Sequence, residues 1–189
     1  MSRAYRIRVR ESIKRVVKAR DRVSTQLELL EVLPSGEMAA LLAQELEKRG
    51  FQRRGRALVR QEKGVTITID PEAATVTVGA ESAREVELET EREGRTYDDA
   101  GAGTKRLKKE LQKQARQDLE EQARRETAAL QTKVTDALEG HLADLRQELD
   151  QAVNRVTAEA LKRKAAQLGQ IKELTEDPQT GSLTIVVEV

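Results

Sequence analysis

Val65-Thr-Ile-Thr-Ile-Asp-Pro-Glu-Ala-Ala-Thr-Val-Thr-Val78 reads as two strands joined by a tight turn. Apolar β-branched residues alternate with threonine on both sides of the turn. That period of two puts one set of side chains on a single sheet face. Asp70 before Pro71 supplies the turn chemistry, because the carboxylate can bond nearby backbone while proline fixes the next φ. The pattern recurs downstream: Asp177-Pro-Gln-Thr-Gly-Ser-Leu-Thr-Ile185 aligns without gaps on Asp70-Pro-Glu-Ala-Ala-Thr-Val-Thr-Val78, by convergence on a common turn or by internal duplication. Two similar hairpins therefore flank the middle of the chain.

Working outward, Tyr5, Ile7 and Val9 alternate with Arg6, Arg8 and Arg10, which predicts a strand with three guanidinium groups on its outer face. Ile13 to Ala19 and Val23 to Val32 continue the β-branched and apolar character on either side of Asp21-Arg22, as separate strands or one bent strand. Pro34-Ser35-Gly36 breaks the pattern, and Met38, Leu41, Leu42 and Leu46 then recur at helical spacing. Gly50 is placed to end that helix in a left-handed conformation, with Phe51 folding back on its last turn. Strand character resumes at Ala57 to Arg60. From Glu81 the chain alternates again, Glu85, Glu87, Glu89, Glu91 and Glu93 interleaving with Val86, Leu88 and Thr90. Beside the Arg6/Arg8/Arg10 strand, this acidic face gives cross-strand ion pairs that help to choose register.

Beyond the linker Tyr97 to Thr104, the composition changes to Leu, Ala, Gln, Glu, Lys and Arg as far as Leu168, with no proline. These are strong helix formers. Leu130, Val134, Ala137, His141, Leu145, Leu149, Ala152 and Val156 step by four and three, the seam of a coiled coil. Gly169 followed by Ile171 repeats the ending pattern of Gly50-Phe51. One continuous helix reaches about 98 Å at 1.5 Å per residue. Gly140 divides the segment into two halves of similar length, and a turn there brings the second hairpin back to the first. The seam running through Gly140 without a skip favours the straight helix, since a helical glycine costs only about 1 kcal/mol. The return of the amphipathic strand formed by Leu183, Ile185, Val187 and Val189 favours the turn, because that face needs a sheet or core to cover it.

The expected fold is therefore α+β. A small, mainly antiparallel β domain with one packed helix (residues 1–97, completed by 170–189) carries a helical-hairpin, coiled-coil arm (98–169). The C-terminal β-hairpin returns to the sheet.

Charged residues make up 35% of the 189-residue chain and aromatic residues 2%. So high a charge fraction places part of the chain in a nearly all-surface element, and the aromatic poverty excludes stacking platforms for single-stranded nucleic acid. The absence of cysteine excludes disulfides and Cys-ligated zinc. No apolar run reads as a signal peptide or a membrane span, so a cytoplasmic location without membrane attachment is expected. Net charge is +1, but residues 1–60 hold 15 Lys/Arg against 7 Asp/Glu (+8) and residues 61–100 hold 4 against 11 (−7). The two stretches are complementary in sign.

No catalytic, cofactor-binding or metal site emerges. His141 is the single histidine and lies in the arm, so a histidine-ligated metal or a serine triad lacks its partners. Gly101-Ala-Gly-Thr-Lys105 lacks the phosphate-loop spacing and a preceding strand. The carboxylates fall on alternating strand faces and solvated helix surfaces, not on a convergent pocket. The alternative to a protein-binding role is a nucleic-acid site on Arg6, Arg8 and Arg10, which the complementary acidic strand and near-neutral total charge oppose.

Val23-Ser-Thr-Gln-Leu-Glu-Leu-Leu-Glu-Val-Leu-Pro34, the hairpin from Gly64 to Val78, the stretch Val153 to Gly169 and the Asp177-Pro-Gln-Thr-Gly181 turn together resemble small accessory proteins encoded beside AAA+ ATPases in bacterial ternary systems of the FtsH or MoxR type. The resemblance implies a non-enzymatic component of an ATPase-centred assembly, in the setting of conflict with invaders, and supplies no active-site residues. The expectation is an adaptor or scaffold with protein partners, an AAA+ ATPase among them. It binds by strand addition at an edge such as Leu183 to Val189, or along the arm, whose seam also offers a route to a homo-oligomer.

Overall fold

A computed structural model describes residues 4–97, 101–176 and 182–188. The elements follow in the order β1 (Tyr5–Gln26), α1 (Ser35–Lys48), β2 (Gln52–Arg54), β3 (Ala57–Glu62), β4 (Val65–Asp70), β5 (Thr75–Thr96), α2 (Ala102–Leu168), β6 (Gln170–Glu176) and β7 (Leu183–Glu188). The first five strands form an antiparallel sheet in the order β1-β5-β4-β3-β2, while β6 and β7 form a separate two-stranded sheet.

The β4–β5 hairpin is built as its sequence dictates. Asp70 Oδ1 accepts from the Glu72 and Ala73 amides at 3.0 and 3.2 Å. Ala74 takes φ of +49° at the position that carries Gly181 in the aligned downstream turn. Ile67, Ile69, Val76 and Val78 are buried on one face. At the end of α1, Gly50 adopts φ of +87°, and the Phe51 amide donates to Leu46 O at 3.1 Å, so Phe51 folds back and is buried.

β1 and β5 are each single strands of 22 residues, several times the usual length. The Asp21-Arg22 pair does not turn the chain, because neither residue supplies a fixed φ or a left-handed conformation and the outer face tolerates charge. Arg8 with Glu93, Lys14 with Glu87, Ser24 with Thr77, and the Leu27 amide with Ala74 O keep one antiparallel offset along the ribbon.

Two compact units divide the chain: Met1–Arg20 with Glu81–Thr135, and Asp21–Ala80 with Asp136–Val189. In the first unit α2 runs back along β5. Gly94 approaches Leu107 and Leu111 so closely that a Cβ would meet their methyls at 3.1 to 3.2 Å. Further along, Arg92 forms a bidentate pair with Asp118 at 2.5 and 2.6 Å, Arg84 pairs with Glu126, and Gln131 Nε2 donates to Arg20 O at 3.1 Å. In the second unit α1 seals the sheet with Met38, Leu41, Leu42 and Leu46, all buried.

The helical hairpin expected at Gly140 is not formed: α2 is one helix from Ala102 to Leu168. The chain reverses between β5 and α2 instead. Residues 81–96 as strand and 102–135 as helix each cover about 50 Å by their respective rises, so within the first unit the helix retraces the strand. The buried stripe departs from the expected seam at Ala137 and His141. Leu119–Leu130, Ala123–Val134, Val134–Leu145, Leu138–Leu149, Leu145–Val156 and Leu149–Ala160 are buried pairs eleven residues apart, whereas Ala137 is exposed and His141 half-buried. Eleven residues span three turns, so this stripe stays in line along a nearly straight helix. The helix packs on the sheet of its own chain. Gly140 is exposed and a Cβ there would meet nothing within 4 Å. Gly140→Ala is therefore expected to raise the unfolding free energy by about 1 kcal/mol, read by chemical denaturation. A turn with left-handed backbone at this position would make the same change destabilising.

The expectation that the C-terminal hairpin returns to the first sheet is also corrected. β6–β7 belongs to the same compact unit as β4, yet it pairs only with itself. Its turn (177–181) and Val189 lie outside the described residues. Gly169 is not left-handed; it is needed because a Cβ there would collide with the carbonyl oxygen of Glu188.

Candidate interaction surface

The sheets leave four strand edges free among the described residues: those of β1, β2, β6 and β7. An open edge is a template for another strand, and proteins blunt such edges with charge, brevity or bulges. β1 carries Lys or Arg at most alternate positions from Arg6 to Arg22. β2 has three residues, two of them arginine. β6 contains Lys172, Glu173 and Glu176 and is irregular between Ile171 and Glu173. β7 has none of these protections: Leu183-Thr-Ile-Val-Val187 is uncharged and regular, with Glu188 at its end.

The hairpin is also thinly covered. Leu183, Ile185 and Val187 are half-buried on one face and Thr184, Val186 and Glu188 are exposed on the other. Leu174, paired with Ile185, is 44% exposed, as is Val186. The aligned hairpin shows what is missing. Glu176↔Leu183, Thr175↔Thr184 and Leu174↔Ile185 repeat the register of Ile69↔Val76, Thr68↔Thr77 and Ile67↔Val78. In the first copy the positions equivalent to Leu174, Leu183 and Ile185 are buried, and the edge equivalent to that of β7 is closed by β1.

The Arg6, Arg8 and Arg10 face is engaged internally. Arg6 lies 3.7 Å from Glu93, Arg8 bridges Glu91 and Glu93 at 2.7 Å each, and Arg10 pairs with Glu91. The Arg10 guanidinium is held above its ordinary value by its hydrogen bond to Glu91. Replacing all three arginines by alanine is therefore expected to leave fluorescence anisotropy with labelled duplex and single strands unchanged at physiological salt. Submicromolar, salt-dependent binding lost in the variant would instead assign a nucleic-acid site to this face. His141 Nδ1 lies 2.8 Å from Ala137 O within α2, and Gly101 to Lys105 lead into that helix's first turn. Among the described residues no group of three His, Cys, Asp or Glu side chains is placed to hold a metal ion, and no helix is long and apolar enough to cross a membrane.

One polar cluster was not legible in the sequence. Arg60 on β3 donates to both carboxylate oxygens of Glu148 on α2 at 2.8 and 2.7 Å, and to Arg49 O at 3.1 Å. Its guanidinium sits over the Phe51 ring, 4.5 Å from the centroid. Arg49 reaches Glu45 at 3.0 Å and Glu148 O at 3.3 Å. The hydrogen bonds hold the Arg60 guanidinium above and the Glu148 carboxyl below their ordinary values. This cluster ties α1, β3 and α2 together.

A family model described as FtsH ternary system domain X5 matches residues 1–189. The chain belongs to that family. No curated protein and no solved structure matches it. Family membership makes the chain an accessory protein of an FtsH-type ternary system.

Proposed function

We propose that this FtsH ternary system domain is a non-enzymatic adaptor, an accessory subunit that works in the cytoplasm and docks on a protein of an AAA+ ATPase-centred assembly by strand addition at β7. The observation that carries the reading is the contrast among the four edges: three are blunted, whereas β7 is open and carries no charge from Leu183 to Val187. A partner strand laid along β7 satisfies its outward backbone groups, and apolar side chains at alternate positions cover Leu174, Leu183 and Ile185.

Co-expression with the FtsH-type ATPase of the same system tests this reading. The full chain should co-elute with the ATPase on size exclusion, and Thr184→Lys with Val186→Lys should abolish co-elution, because the substitutions place charge on the open edge while altering only exposed positions. Undiminished co-elution of the double variant overturns the assignment of the docking surface to β7.

A further inference from the structure

The same edge has a consequence for the protein without its partner. A two-stranded hairpin is marginal in water unless further strands or a packed helix cover it, and here Leu174 is exposed while Leu183, Ile185 and Val187 are only half-buried. The counterpart hairpin β4–β5 has β1 and β3 on its flanks. We propose that in the free protein the β7 edge is closed by β7 of a second copy, antiparallel about a twofold axis, and that the partner strand replaces this copy; the inference rests on the reading of β7 as the docking edge.

Three observations select a second copy. First, pairing about a twofold near Ile185 sets Leu183 against Val187 and Thr184 against Val186, so no like charges meet, and Glu188 falls outside the uncharged core of the ladder. Self-pairing of β1 through its alternating arginines would bring like charges close together, and β6 is irregular between Ile171 and Glu173. Second, the pairing places the half-buried Leu183, Ile185 and Val187 of both copies on one continuous face of a four-stranded sheet, β6-β7-β7-β6. Third, the contact is isologous, so it closes at two copies instead of propagating into fibres. Each edge is only six residues long, and the surface it buries falls well short of the roughly 1,200 Å² at the lower end of stable interfaces. The dimer is accordingly weak and exchangeable, as displacement by a partner strand requires.

Sedimentation of the purified chain across the micromolar to submillimolar range tests this. The mass should rise with concentration from 21.1 kDa towards twice that value, and Thr184→Lys with Val186→Lys should hold it at the monomer. Because the chain has no cysteine, single Thr184→Cys, Ile185→Cys and Val186→Cys variants report the contact without relying on the lysine variant. Ile185→Cys, which faces its own copy across the twofold, should form a disulfide-linked dimer well ahead of the other two, and the linked species should not bind the ATPase. A monomer at every concentration, equal cross-linking at all three positions, or a dimer indifferent to the lysines overturns the proposal. A monomeric chain that still loses its ATPase on lysine substitution overturns only this inference. A β7-linked dimer whose ATPase complex ignores the lysines overturns the docking reading, and with it the displacement step.

Discussion

Truncating Leu138 to alanine is expected to lower the unfolding free energy by about 2 to 5 kcal/mol, the range for a fully buried leucine whose cavity the surroundings only partly close, whereas Ala137→Glu next to it should change stability by less than about 0.7 kcal/mol. Leu138 is 1% exposed and Ala137 lies on the solvent side of α2. A coiled-coil seam through Ala137 and His141 requires the opposite ranking. Equilibrium denaturation of the two variants in parallel therefore tests whether α2 packs on the sheet of its own chain through the eleven-residue stripe. Comparable losses from both would contradict that packing.

Glu148→Ala should cost about 2 to 3 kcal/mol, because it leaves the Arg60 guanidinium, 19% exposed, without its bidentate partner. Arg60→Ala should cost a similar amount, with the contact to Phe51 also lost. The double variant should be less destabilised than the sum of the two, since each single change strands the other charge. The sign of the pH dependence follows from the lowered Glu148 value. With the folded carboxyl below its ordinary 4.5, the pair's contribution is complete above that pH and is lost as the pH falls through the lowered folded value. Asp118, lowered by its hydrogen bond to Arg92, acts in the same direction. The acid limb of the stability profile should be shallower in Glu148→Gln than in the parent. An unchanged limb would mean that the pair does not bind α2 to β3.

Elements whose signals are local were legible in the sequence. Asp70-Pro71 and the alternation around it gave the hairpin and its buried face, and Gly50-Phe51 gave the end of α1. The ion pairs between Arg6, Arg8 or Arg10 and the acidic run were also expected, because both stripes share the period of two. The lengths of β1 and β5 were not legible: strands of that length are rare, and a charged pair such as Asp21-Arg22 looks like a boundary when the outer face is already charged. Gly140 was misread for a related reason. Something had to bring the C-terminal hairpin back, and glycine was the visible candidate, whereas β5 and α2, a strand and a helix of matched reach, run back along each other in the first unit. Of the expected seam, Leu130, Val134, Leu145, Leu149, Ala152 and Val156 are buried, whereas Ala137 and His141 are not, because Leu138 is the buried residue at that turn. The Arg60–Glu148 pair joins residues 88 apart and left no local trace. At the candidate surface the sequence showed an amphipathic last strand; it did not show that this strand lacks a third neighbour, which depends on where every other edge ends up.

Hydrogen exchange at the amides of Leu183 to Glu188, in the free chain and after mixing with the FtsH-type ATPase of its system, tests the central claim most directly. Protection should rise along β7 when the partner is added, while the edges of β1, β2 and β6 stay unchanged. A complex that forms with β7 exchanging as it does in the free protein, and with protection appearing at another edge or along α2, would contradict it.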